Sequence, residues 1–253
     1  MSRLTLLQTE DPPEDFPDPE QALDDPNGLL ALGGDLSPER LLAAYRRGIF
    51  PWYEAGQPIM WWSPDPRAVL LPGELHVSRS LRRTLRSERF TVSTDRDFAG
   101  VITGCAETRA LQGTWITSEM RMAYLQLHEL GHAHSIETWQ ADRLVGGIYG
   151  IAIGRIFFGE SMFSTERDAS KVALAGLMYQ LIERGFGLLD CQVETGHLQS
   201  LGSRLMARKD FIGAVSRLTA APDDRTDWHS GPSPTRELIP DTNPSLHLHD
   251  TAS

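Results

Sequence analysis

Apolar residues recur along this chain with two periods, and the period changes at glycines and prolines. After Asp35-Leu36-Ser37-Pro38-Glu39, Leu41, Leu42 and Tyr45 fall on one face of a helix. Ser37 is its predicted N-cap and Pro38 its first helical residue, and Gly48 ends it. Ser118–Leu130 carries Ala123, Tyr124, Leu127 and Leu130 on one face and closes at Gly131. Ser170–Arg184 carries Leu174, Leu177 and Leu181 and stops at Gly185, and a final helix is predicted from about Lys209 to Leu218. Shorter apolar runs read as strands: Ala68–Leu71, Phe90–Ser93, Ser135–Gln140 and Leu188–Val193, plus a hairpin of Arg143–Ile153 and Arg155–Phe163 turning at Gly154. An arginine-rich helix separates the first two.

From Ile49 to Pro66 the pattern breaks. Four prolines and three tryptophans occupy the stretch, which cannot be regular helix. The domain boundary is therefore expected near Pro66, with a small N-terminal domain over 1–66 and a main domain over 67–220. Residues 221–253 are rich in Pro, Asp, Ser and Thr, bury little, and are expected to be disordered. Pattern alone gives the fold class as α/β or α+β with a mixed sheet.

Two strings in the main domain place polar groups inside apolar runs: Phe158-Gly159-Glu160-Ser161-Met162-Phe163-Ser164 and Leu188-Leu189-Asp190-Cys191-Gln192-Val193. An unpaired carboxylate or amide there is costly, so the groups are expected to pair with one another or with a ligand. Asp190 and Gln192 lie two apart on a strand and face one way, with Cys191 turned into the core. That face offers a charge acceptor beside a group that both donates and accepts, which suits deprotonation of an amine and positioning of an ester. The bland alternative is a hydrogen-bond network at a strand end. Glu160 either bridges to a base such as Lys171 or meets a cationic substrate together with Asp190. The apolar face of Leu174, Leu177, Leu181 and Leu189, joined by Ile148, Phe157 and Met162, is either plain core or the wall of a pocket for an apolar side chain. Met162 would adapt such a pocket to more than one shape.

The net charge of −10 argues against a nucleic-acid partner only until it is divided along the chain. Residues 1–40 hold ten acids and two bases, and 221–253 hold six acids and two bases, so 41–220 carries −10 + 8 + 4 = +2. Arg79, Arg82, Arg83, Arg86 and Arg89 form the densest basic run, and Arg204, Arg208 and Lys209 a second. Either is a solvated face or a phosphate-binding one. Two cysteines give no disulfide framework, no apolar run approaches a membrane span, and no secretory signal is visible; a reducing cytoplasm is the simplest expectation.

His128-Glu129-Leu130-Gly131-His132 matches the H-E-x-x-H pattern of zinc proteases. A metallohydrolase needs both histidines on a continuing helix, however, and Gly131 with the strand that follows ends the helix inside the motif. No metal is expected. Gly33-Gly34 and Gly146-Gly147 fit no nucleotide loop, so no ATP or dinucleotide cofactor is implied.

Further motifs accompany the two polar strings: Asn27-Gly28-Leu29-Leu30-Ala31-Leu32-Gly33-Gly34-Asp35-Leu36-Ser37, Arg47-Gly48-Ile49-Phe50-Pro51-Trp52, Trp61-Trp62-Ser63-Pro64-Asp65-Pro66-Arg67, Gly113-Thr114-Trp115-Ile116-Thr117 and His128-Glu129-Leu130-Gly131-His132-Ala133-His134-Ser135. In this order and spacing the set resembles the leucyl/phenylalanyl-tRNA–protein transferases over roughly residues 15 to 218. The resemblance implies an α+β fold, with a small N-terminal domain and a GNAT-like acyltransferase domain. It implies transfer of leucine, phenylalanine and methionine from aminoacyl-tRNA to proteins bearing N-terminal Arg or Lys, which marks them for degradation. It assigns Asp190 and Gln192 to catalysis, Trp52, Trp115 and Tyr124 to the terminal adenosine of the tRNA, and the apolar face above to the aminoacyl side chain. The family often has Met at 148 and Phe at 177, where this chain has Ile148 and Leu177; the difference bears on the balance between leucine and phenylalanine. Trp61 and Trp62 are read as interdomain core. Two other classes fit less well: an acyltransferase using acetyl-coenzyme A, whose glycine loop is missing at Thr165–Ser170, and a non-catalytic tRNA-binding module, which leaves the polar strings unexplained.

Overall fold

The computed structural model describes residues 4–109, 116–222 and 228–238. Two sheets organise them. The smaller has the order β1-β2-β4-β3 (β1 Thr5–Leu7, β2 Leu29–Gly33, β3 Phe50–Pro51, β4 Met60–Trp62), with α1 (Pro38–Tyr45) between β2 and β3. Ser37 caps α1, its hydroxyl accepting from the Arg40 amide at 3.4 Å. Trp61 is fully buried and its indole N–H donates to the Gly33 carbonyl at 2.9 Å.

The larger sheet is built from β5 (Arg67–Leu70), β6 (Thr91–Thr94), β7 (Ala133–Gln140), β8 (Arg143–Ile153), β9 (Ile156–Ser164), β10 (Leu188–Gln192), β11 (Arg204–Met206) and β12 (Ser230–Pro234). Its order is β11-β5-β10-β9-β8-β7-β6-β12. Every pair is antiparallel except β9 with β10. The fold is thus α+β with a mixed sheet, as expected. The β8–β9 hairpin turns at Gly154, whose φ of +57° suits glycine, and a Cβ there would stand 2.3 Å from the Leu218 carbonyl oxygen.

Side chains alternate across this sheet and feed two cores. On one face Tyr149, Ile151 and Phe158 pack with the N-terminal sheet and with α3 (Phe98–Arg109) and α4 (Ser118–Glu129). On the other, Val145, Ile148 and Leu189 pack beneath α2 (Arg79–Arg86) and α5 (Ala169–Glu183). The short α6 (Gly196–Ser200) follows β10, and α7 (Arg208–Thr219) follows β11.

Within the stretch after 220, the described residues 228–238 are ordered against the rest of the fold rather than free of it. Trp228 is 3% exposed and stacks on His134 with ring centroids 4.2 Å apart. β12 then extends the sheet along β6, and a 3-10 turn at Thr235–Leu238 follows, with Thr235 donating its hydroxyl to the Leu85 carbonyl of α2 at 2.7 Å. The low apolar content hid a strap held by one tryptophan and by backbone pairing.

Candidate active site

The parallel pair β9–β10 opens the site. Its register runs only from Leu188↔Ile156 to Asp190↔Phe158. Beyond that β9 continues to Ser164, while β10 ends at Gln192. The strands part, and a cavity of about 530 Å³ fills the gap. One wall is apolar: Ile148, Met162, Leu174 and Leu189. The opposite wall carries Glu160 and Gln192, and Trp52 stands at the rim, 46% exposed and 5.6 Å from the Trp62 ring. Phe157, Leu177 and Leu181 do not reach the cavity. They are buried in the core behind the apolar wall and back the residues that line it.

Two irregularities aim the polar wall. In β9, Glu160 is an extra residue: Gly150 pairs with Gly159 and Tyr149 with Ser161. Its carboxyl accepts from Tyr45 Oη on α1 at 2.7 Å, from Tyr124 Oη on α4 at 2.8 Å and from Gln192 Nε2 at 2.9 Å. The two phenol oxygens lie 2.6 Å apart. Burial, the largest influence, pushes the Glu160 pKa up to about 7 against the pull of the two hydroxyls. Both phenols are held well above their ordinary value, first by burial and then by Glu160. In β10 the register shifts between Asp190 and Gln192, and Gln192 adopts φ +62°. Such a conformation costs on the order of 1–3 kcal/mol outside glycine, so the surroundings must impose it.

Glu160 and Gln192 therefore meet, as the sequence implied. Asp190 lines the same cavity, though not as a free carboxylate. It is fully buried, and both its oxygens are taken by Arg67: Nε to Oδ1 at 2.8 Å and Nη2 to Oδ2 at 2.7 Å. Oδ1 also accepts the Gln192 backbone N–H at 2.9 Å. Asp190 lines the cavity beside Glu160, but a carboxylate so neutralised is not an open partner for an acceptor cation. Lys171 is not its partner; it lies 3.7 Å from Asp168. Cys191 is not sealed in the core either. It lines the apolar wall, its thiol pushed well up by burial.

Tyr124 is fully buried behind Glu160, so it cannot offer a stacking face. Trp115 lies outside the described residues. Arg79, Arg83 and Arg86 are exposed on α2 and Arg82 is half-buried. Arg89 is exposed too, its guanidinium lying over the Phe90 ring at 4.3 Å. The second basic run dissolves: Arg208 is buried and donates to the Ser63 carbonyl at 2.8 Å, while Arg204 faces Glu74 at 3.6 Å.

The histidine motif is also divided. Helix α4 ends at Glu129; His128 bonds the Ala133 carbonyl through Nδ1 at 2.8 Å and stacks on Phe98, whereas His134 Nδ1 meets Asp95 at 2.7 Å. The N-terminus of α5 presents Asp168 rather than glycines, which is repulsive to a pyrophosphate.

A family profile described as leucyl/phenylalanyl-tRNA protein transferase matches residues 69–216, and its N-terminal-domain companion matches 34–65. The chain belongs to the leucyl/phenylalanyl-tRNA–protein transferase family. A member from Shewanella baltica is 55% identical over 240 residues, which is 94% of this chain and 98% of that protein. One from Azotobacter vinelandii is 63% identical over 209 residues, 82% of this chain and 92% of that protein. Among solved structures, L-PGS from Bacillus licheniformis aligns at 10% identity and TM-score 0.39, covering 74% of this chain and 71% of that one, too distant to bear on the argument. The matched residues include every cavity residue from Ile148 to Leu198, while Phe50, Pro51 and Trp52 come from the N-terminal match.

Proposed function

We propose that this chain moves leucine, phenylalanine and methionine from aminoacyl-tRNA to the α-amine of proteins that begin with Arg or Lys, and so marks those proteins for degradation in the cytoplasm. The observation that carries this is the single cavity whose walls divide into an apolar half and a Glu160–Gln192 half. The apolar half buries the donor side chain, worth about 1.5–3 kcal/mol for a leucine or phenylalanine. The polar half lies beside the ester that the same donor carries.

In the transfer, the α-amine nitrogen forms a bond to the ester carbonyl carbon. The bond to the ribose oxygen breaks, and the proton lost by the amine goes to that oxygen. The ester is already activated, so alignment and desolvation are what the protein supplies; alignment alone lowers such barriers by roughly 7–11 kcal/mol in good cases. Gln192 gives its amide N–H to Glu160, which leaves its Oε1 to accept from the incoming amine. Asp190 acts through Gln192 rather than on the amine. Glu160, poised near neutrality, meets the acceptor's cation, and binding of that cation favours its ionised form. Trp52 stacks on the terminal adenosine, and the exposed face of α2 meets tRNA phosphates. No helix among the described residues is long and apolar enough to cross a membrane.

The test is a transfer assay with Leu-, Phe- and Met-tRNA and an Arg-initiated peptide, read by mass spectrometry, with an N-acetylated copy as control. Addition of one residue to the free peptide only is expected. Failure of all three donors to modify it would refute the proposal.

A further inference from the structure

We infer that Arg67 is a positioning residue for the transfer, because its two-pronged hold on Asp190 fixes the turn that delivers the Gln192 amide to the cavity. The inference rests on the function proposed above.

Arg67 begins β5 and is fully buried. Its guanidinium lies over the Phe50 ring of β3 and the Phe211 ring of α7, at 4.6 Å from each centroid. The rings confine the guanidinium plane, and the fork leaves the Asp190 carboxylate one orientation. In that orientation Oδ1 reaches past Cys191 to the Gln192 N–H at 2.9 Å. That bond spans the point where the β5–β10 register slips, at the residue with φ +62°. The turn in its aftermath brings Gln192 Nε2 to Glu160. One chain of contacts thus joins the N-terminal sheet, α7 and β10 to the reacting wall. A buried ion pair is often no more stabilising than an apolar pair of the same shape, so fold stability does not by itself call for this one.

The experiment is a double-mutant cycle on the full chain. Arg67→Lys keeps the charge and loses the fork; it should lower kcat by about a hundredfold, the cost of a small misplacement, with KM for Leu-tRNA changed by about threefold at most. In a Gln192→Ala background the same change should cost little further, because Arg67 acts through Gln192. The pair Arg67→Leu with Asp190→Leu leaves no buried unpaired charge. It should unfold near the wild-type midpoint and still transfer slowly. Additive losses in the cycle, or a folded double-leucine variant with wild-type kcat, would overturn the inference. Wild type without transfer activity would instead overturn the proposed function.

Discussion

The Glu160 carboxyl makes a quantitative forecast about stability. Three short oxygen–oxygen contacts link Glu160, Tyr45 and Tyr124. When the carboxyl is ionised, both phenol protons point at it and the Tyr45–Tyr124 contact holds none. When it is neutral, its own proton completes the ring. Burial favours the neutral acid against the pull of the two phenols, and the pKa climbs from 4.5 to about 7. A carboxyl whose pKa rises on folding binds its proton more tightly in the native state. Its contribution to stability is then complete below 4.5, declines as pH rises through the window from 4.5 to about 7, and is gone above it. The full span is about 3 kcal/mol. Glu160→Gln carries no charge at any pH, and its amide can donate to one phenol and accept from the other. The measurement is chemical unfolding of both proteins across the pH range. The variant should gain on the wild type by roughly 2–3 kcal/mol between about pH 5 and about pH 8. Parallel stability curves would refute the reasoning, since they would mean that Glu160 titrates alike in the folded and unfolded chain.

Charge reversal of Arg82 and Arg83 to Glu should weaken binding of every tRNA alike and reduce the slope of log affinity against log salt by up to about two, checked by filter binding over a salt series; loss confined to one tRNA would contradict a phosphate contact. Trp52→Ala should cost about 1–3 kcal/mol in aminoacyl-tRNA affinity without lowering the thermal midpoint, because the ring is 46% exposed. Trp228→Ala should destabilise the fold by about 3–5 kcal/mol in a denaturant titration.

Much of the fold was legible where one residue type dominated one face. The helices α1, α2, α4 and α5 and the β8–β9 hairpin follow from apolar spacing and from stops at Gly48, Gly131, Gly154 and Gly185. Helix α3 was missed: Gly100 and Gly104 dilute its pattern, although Phe98, Val101, Ile102 and Cys105 are all buried and Asp97 accepts from the Gly100 amide at 2.8 Å, a usable start signal. The short α6 and β11 carry too few apolar residues to show a period. Strand β12, Ser230–Pro234, has no alternation at all. It sits on a sheet edge, where proline is tolerated and pairing alone defines a strand. At the site, the union of Glu160 with Gln192 was legible because both interrupt apolar runs. The partners that define their chemistry were not. Tyr45 stands 115 residues from Glu160, and Arg67 stands 123 from Asp190, so nothing local announces either bond. A tyrosine among leucines on α1 was the one available hint.

The strap also sets an order of assembly. Thr235 bonds α2 at Leu85 across 150 residues of chain, and β12 supplies the outermost strand beside β6. During synthesis the cavity strands emerge well before this closing piece. The arginine helix thus gains its last support only once residues 228–238 have been made, after the strands that shape the cavity.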